Sequence, residues 1–246
     1  MTDFDLRTRL IVGENGVAKL ENSRVAVFGL GGVGSFCTEA LARAGVGALD
    51  LIDNDVITVS NINRQLYALH STVGKAKTAV AAARIADINP ACKVRVHNIF
   101  YLPETADMFD FNAYDYIVDA VDTVSAKLTL AENAYRAGTP VISCMGTGNK
   151  LDPTAFRVAD IFKTDTDPLA RVMRKELKKR GVLALKVVYS PEKAHRGDAD
   201  LLAHLMQTEL GADSSRRDIP GSISFVPSVA GLTIAGEVIK DLCGNV

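Results

Sequence analysis

Three observations in the sequence predict an α/β protein built on a Rossmann-like, doubly wound, mostly parallel sheet. Strand-like and helix-like runs alternate, a glycine-rich turn joins the first pair, and an acid closes the second strand. The first strand is RVAVF at 24–28, a β-branched run that enters GLGGVG. SFCTEALARAG follows, with alanine and leucine at helical spacing, and Gly45 and Gly47 mark the helix end. ALDLID at 48–53 is a second strand, and a strand-helix-strand unit implies parallel pairing. Residues 75–88 read as a helix, 93–98 and 116–120 as strands, 128–137 as a helix and 140–144 as a buried strand. The alternation then weakens. Residues 161–217 are charged and loop-rich apart from a helix at 168–181. The apolar segment 226–242 returns to the core as a helix.

A single domain of 1–246 follows from this order. It divides into an N-terminal arm (1–22), a nucleotide-binding core (23–153), an insertion or cap facing the substrate (154–222) and a C-terminal core helix (223–246). The chain has 246 residues, 48% of them hydrophobic, and a net charge of -1, which excludes a disordered chain or one that gathers nucleic acid by bulk charge. Cys37, Cys92, Cys144 and Cys243 form no C-x-x-C pair, so neither a zinc knuckle nor a disulfide framework is expected. The N-terminus lacks a signal-like apolar core, and the late apolar run is broken by Pro227, Ser228 and Glu237. The expectation is a cytoplasmic protein with no membrane partner.

Gly29, Gly31, Gly32 and Gly34 meet the G-x-G-x-x-G spacing between a strand and a helix. The residue type matters because side chains would keep backbone N–H groups from a phosphate, which the helix N-terminus also attracts. Asp53 ends the second strand about 20 residues later, where an acid accepts from a ribose diol or caps a helix. These two features alone make a NAD-binding oxidoreductase or sensor the default. The next stretch argues for more charge. Asp55, Asn61, Asn63, Arg64, Gln65, Lys75 and Lys77 crowd one loop region, as a polyphosphate with magnesium requires, unless the loop is simply solvated. Asp119 and Asp122, in DAVD, stand at the ligand-binding end of a strand, where acids hold metal or cap the following helix. A P-loop, G-x-S-x-G and H-E-x-x-H are all missing, and His70, His97, His195 and His204 are scattered and receive no role.

GLGGVGS, LIDND, SNINRQ, VGKAK and DAVD, in this order and spacing, resemble the ThiF/MoeB/HesA superfamily of ATP-dependent carboxyl-adenylating enzymes, over about residues 7–153. Within it, TGNKLDPT, DPLARVMRKELKKRG and the missing zinc cysteines resemble the branch that dehydrates threonylcarbamoyladenosine in tRNA. The resemblance implies ATP and Mg²⁺, with Gly29, Gly31, Gly32 and Gly34 as the nucleotide loop, Asp53 on the ribose and Asp55 nearby. Asn61, Arg64, Lys77 and Gln65 would meet the triphosphate, and Asp122 would hold the metal. It also implies a homodimer in which Arg9, or the nearby Arg7, enters the partner's site in trans. Because the neighbouring carbamoyl group can capture the acyl-adenylate, no protein nucleophile is required. Cys144 then reads as a buried small residue rather than a catalytic thiol. Arg171, Arg174, Lys175 and Lys178 fall along one face of the 168–181 helix, which suits a tRNA backbone or is a solvated face. The alternative within the superfamily is adenylation of a ubiquitin-like sulfur carrier, with a sulfur-relay protein as partner.

Overall fold

The computed structural model describes residues 4–201 and 220–244. The segment GADSSRRDIPG, which reads as a loop, and His204 lie wholly or largely outside the described residues. Seven strands form one sheet: β1 (Arg24–Phe28), β2 (Ala48–Ile52), β3 (Lys93–His97), β4 (Tyr116–Asp119), β5 (Val141–Cys144), β6 (Arg157–Asp160) and β7 (Lys186–Tyr189). Their order is β3-β2-β1-β4-β5-β7-β6, parallel throughout except for β6 against β7. The chain thus winds outward from β1 in one direction and from β4 in the other, and a doubly wound sheet opens its ligand crevice where that reversal occurs.

The central strands are buried on both faces, so they read as continuous apolar runs rather than alternating ones. Along β1, Val25 and Val27 pack into one layer, and Ala26 and Phe28 into the other. The first layer holds α1 (Leu6–Asn22, broken at Gly13), α2 (Gly34–Ala44), α3 (Lys77–Ile88) and the last described helix, α6 (Phe225–Cys243). Its core joins Leu20, Cys37, Leu41, Ile85, Ile234 and Val238 to the strands. On the opposite face α4 (Val124–Ala137) packs with Phe28, Tyr101, Phe109 and Phe111, and α5 (Pro168–Lys179) packs its Met173 and Leu177 against Leu128 and Val187. The Phe28 ring sits edge-on to Tyr101 at 4.9 Å and to Phe109 at 5.3 Å, a favoured aromatic geometry.

Two departures from the sequence reading have physical causes. The stretch that reads as an insertion supplies β6 and β7, which extend the sheet beyond β5. Each is four residues long, too short for a period of two to stand out from its charged surroundings. The N-terminal arm is helical, but Gly13, at φ 72°, interrupts the periodicity that would have marked it.

Asp119 is also not the metal acid that its motif suggests. Its carboxylate receives Lys127 Nζ at 3.0 Å on both oxygens and Ser143 Oγ at 2.5 Å, with every partner buried. Lys127 Nζ gives a further bond to Val121 O at 3.1 Å. A buried ion pair like this ties α4 to the ends of β4 and β5, and losing one partner strands the other charge. Lys127→Met is therefore expected to destabilise the fold by about 3–5 kcal/mol, read as a lower urea midpoint. A loss below about 1 kcal/mol would show that Asp119 is otherwise compensated.

Candidate nucleotide site

The crevice at the ends of β1 and β4 opens into a cavity of about 840 Å³. Its floor is the glycine turn, where two positions tolerate no side chain. At Gly29, with φ +88°, an added Cβ would lie 2.6 Å from Ala120 O, and at Gly34 it would collide with Gly29 O. The two strand ends therefore touch backbone to backbone, and α2 starts directly against the turn with its N–H groups near the cavity.

Asp53 stands at one wall. Its Oδ2 accepts from Leu30 N at 2.7 Å and its Oδ1 from Asp55 N at 2.8 Å, which fixes the carboxylate while each oxygen keeps a free lone pair. Burial pushes its pKa above the ordinary aspartate value, with the Lys77 charge opposing. Lys77 is buried at the start of α3, with Nζ 2.7 Å from Asp55 and 3.8 Å from Asp53. The turn that carries Asn61, Arg64 and Gln65 lines the next wall. Arg64 lies against Ser60 O at 2.8 Å and Asn63 Oδ1 at 2.9 Å, and Asn61 Oδ1 receives Thr58 N at 3.2 Å. Asp122, one residue past the Val121 carbonyl held by Lys127, is exposed on the opposite wall. One cavity thus gathers the glycine turn, the buried carboxylate of Asp53 and the cations Arg64 and Lys77.

The remaining wall is one that sequence reasoning saw only in part. Lys150, Asp167 and Glu192 complete it, from the loop after β5, the cap of α5 and the loop after β7. Asp167 Oδ1 caps α5 by accepting from Ala170 N at 2.9 Å, and Lys150 Nζ donates to Ser190 O at 2.8 Å. Glu192 accepts from Leu151 N at 2.9 Å and Asp152 N at 3.0 Å, so the loop after β5 is pinned to the loop after β7. A signal for Asp167 was present: an Asp-Pro pair opening a helical run is a cap signature.

The basic residues expected to act from the first helix and from α5 fall away from this cavity. Arg9 is held in its own chain by Asp5 at 2.6 Å, by Glu14, and by Glu21 at 3.6 Å, and Arg7 is exposed. On α5, Arg171, Lys175 and Lys178 are exposed, without ion-pair partners among the described residues. Arg174 departs from that open face, because its guanidinium folds back onto Thr164 O at 3.0 Å and Thr164 Oγ1.

Cys144 is buried at the end of β5 and lines the cavity. Burial pushes its thiol up to about 12, against the pull of Lys127 and with the push of Asp119, so its thiolate is scarce at neutral pH. A raised thiol pKa lowers reactivity below that pKa and restores it as pH rises. At pH 7.5, iodoacetamide is expected to label Cys144 about 1,000-fold more slowly in the folded protein than in urea. Comparable rates would revive Cys144 as a nucleophile.

The ThiF family model matches residues 5–245. The chain is 44% identical over 245 residues to a tRNA threonylcarbamoyladenosine dehydratase of Bacillus subtilis, covering 98% of this chain and 94% of that one. It superposes on the E. coli tRNA N6-threonylcarbamoyladenosine dehydratase TcdA in complex with AMP with a TM-score of 0.84, and in complex with ATP with 0.83. Identity is 33% in both, over 96% of this chain and 92% of that chain. With the glycine turn, Asp53 and the polar loop of Asn61, Arg64 and Gln65 on one cavity, and with the ThiF family model matched over residues 5–245, the chain belongs to the ThiF family.

Proposed function

We propose that this protein is an ATP-dependent dehydratase that cyclises threonylcarbamoyladenosine in tRNA through adenylation of the threonyl carboxylate. The observation that carries this reading is the shared cavity. It joins a glycine turn and Asp53, which suit an adenosine nucleotide, to Arg64 and Lys77, which suit a triphosphate, and the start of α5 and the loop after β7 also line it. The dehydratases to which the chain is similar support the same substrate, and the crystal structures with AMP and ATP support the nucleotide.

In the reaction a threonyl carboxylate oxygen attacks the α-phosphorus of ATP in line, and pyrophosphate leaves. The carbamoyl group then attacks the acyl carbon, AMP leaves, and the ring closes with net loss of water. Positioning and charge supply the rate. Asp53 orients the ribose, the glycine turn brings N–H groups to the phosphates, and Arg64 and Lys77 bear the charge that builds on pyrophosphate. Asp122 fits a magnesium ion by its chemistry, since Mg²⁺ takes one or two protein carboxylates and fills the rest of its shell from phosphate and water. When bound, the ion would neutralise charge on the leaving group.

Two further parts of the reading concern partners. Leu10 and Ile11 are 86% and 77% exposed on α1, an apolar face that supports pairing with a second copy. Arg9 would enter that copy's site by exchanging its Asp5 and Glu14 partners for phosphate. Arg171, Lys175 and Lys178 form the cationic face for the tRNA backbone.

The deciding experiment incubates the protein with ATP, Mg²⁺ and tRNA carrying threonylcarbamoyladenosine, then digests the RNA and measures nucleoside mass. An ATP-dependent loss of one water is expected. Its absence would move the substrate to the C-terminus of a ubiquitin-like carrier, tested by pyrophosphate release. Asp122→Ala is expected to keep the fold and lose at least about 100-fold in ATP–pyrophosphate exchange; wild-type exchange would remove Asp122 from the chemistry. Replacing Arg171, Lys175 and Lys178 by glutamate is expected to weaken tRNA binding and flatten the slope of log affinity against log salt by about 0.9 for each phosphate that is no longer neutralised. ATP affinity should stay unchanged, and an unaltered salt slope would place the tRNA elsewhere.

A further inference from the structure

The triphosphate and ribose groups leave one part of the cavity without a task. Asp167 is 1% exposed, and its two oxygens differ: Oδ1 is used by the N-terminus of α5, whereas Oδ2 has no hydrogen-bond partner among the described residues. Lys150 Nζ lies 3.6 Å from that oxygen, near enough for charge attraction but too far for a hydrogen bond. A Cβ at Gly146, another lining position, would lie 3.4 Å from Oδ2, so the oxygen lies against a part of the wall that carries no side chain. Lys150 spends one N–H on Ser190 O and has others to give.

A buried carboxylate oxygen that lacks a donor, beside an ammonium group with spare N–H bonds, complements a group that presents an N–H next to a carbonyl. A carbamoyl group does so, and a phosphate or a carboxylate does not. Resting on the dehydratase reading above, we propose that Asp167 and Lys150 form the subsite for the substrate's carbamoyl group, with Asp167 Oδ2 accepting the N–H proton released when the ring closes. The step balances. A bond forms from the carbamoyl nitrogen or oxygen to the acyl carbon, the bond from that carbon to the AMP oxygen breaks, and AMP takes the electron pair. In either case one carbamoyl N–H must lose its proton, which passes to Oδ2. Lys150 Nζ donates to the carbamoyl oxygen and holds it beside Oδ2. Asp167 thus serves the second half of the reaction, and Arg64 and Lys77 the first.

Asp167→Asn tests this, because asparagine keeps the oxygen that caps α5 but cannot take a proton. With ATP, Mg²⁺ and the modified tRNA, ATP–pyrophosphate exchange should stay within about threefold of wild type. Dehydrated nucleoside should fall by about 100-fold or more, and AMP should appear without loss of water from the tRNA. Asp167→Glu should recover part of the product. Product within threefold of wild type, or equal losses of exchange and product, would overturn the proposal. If D167N does not fold, Lys150→Met is scored on the same two readouts, with the same split expected and the same results counting against it. Wild-type protein showing neither exchange nor dehydration would instead overturn the dehydratase reading itself.

Discussion

The approach of Gly29 to Ala120 is the constraint on which the remaining structure depends. β1 and β4 pair in parallel, and their ends meet so closely that a single Cβ at Gly29 would enter the Ala120 carbonyl. The chain must then leave the sheet in opposite directions, through α2 on one side and towards α4 on the other, and that divergence makes the crevice. Phe28, wedged among Tyr101, Phe109 and Phe111, packs the end of β1 on one face of the sheet, and Val27 joins the core on the other.

Charge is handled in three ways around that crevice. Lys127 and Asp119 are buried, bonded to one another and to Ser143, and form a fixed brace between α4 and the sheet. Lys77 is shared between Asp55 and Asp53, so its charge is oriented but can turn towards an incoming phosphate. Lys150 and Asp167 stand apart at 3.6 Å, with one carboxylate oxygen lacking a donor among the described residues. A fully satisfied pair stabilises structure, whereas a partly satisfied one keeps an interaction in reserve for a ligand. The same two residue types thus form a closed brace in one place and, under the proposed function, a nucleotide contact and a substrate contact in the others, according to how completely they are bonded.

This arrangement also accounts for chemistry without a protein nucleophile. Cys144 is the one cysteine among the residues that line the cavity, yet burial, with Asp119 adding to it, keeps it protonated. An acyl-adenylate formed in the cavity meets no competing thiolate, which suits capture by a group that the substrate itself carries.

Elements whose pattern is local were legible from the residues alone. The glycine turn, Asp53 and the polar loop from Asp55 to Lys77 share one short stretch of chain, and turn chemistry and strand composition act over such distances. The parallel sheet and the ATP-type site follow from them. Tertiary structure alone placed the two acids of DAVD: Asp119 is bonded to Lys127 from the following helix and Ser143 from the next strand, whereas Asp122, the acid that the family resemblance singles out, lines the cavity. It likewise turned Arg174 back onto Thr164, added β6 and β7 at the sheet edge, and set Lys150 beside Asp167. Sequence determines what a residue can donate or accept, but which partners reach it first depends on packing between segments far apart in the chain, and no local pattern records that.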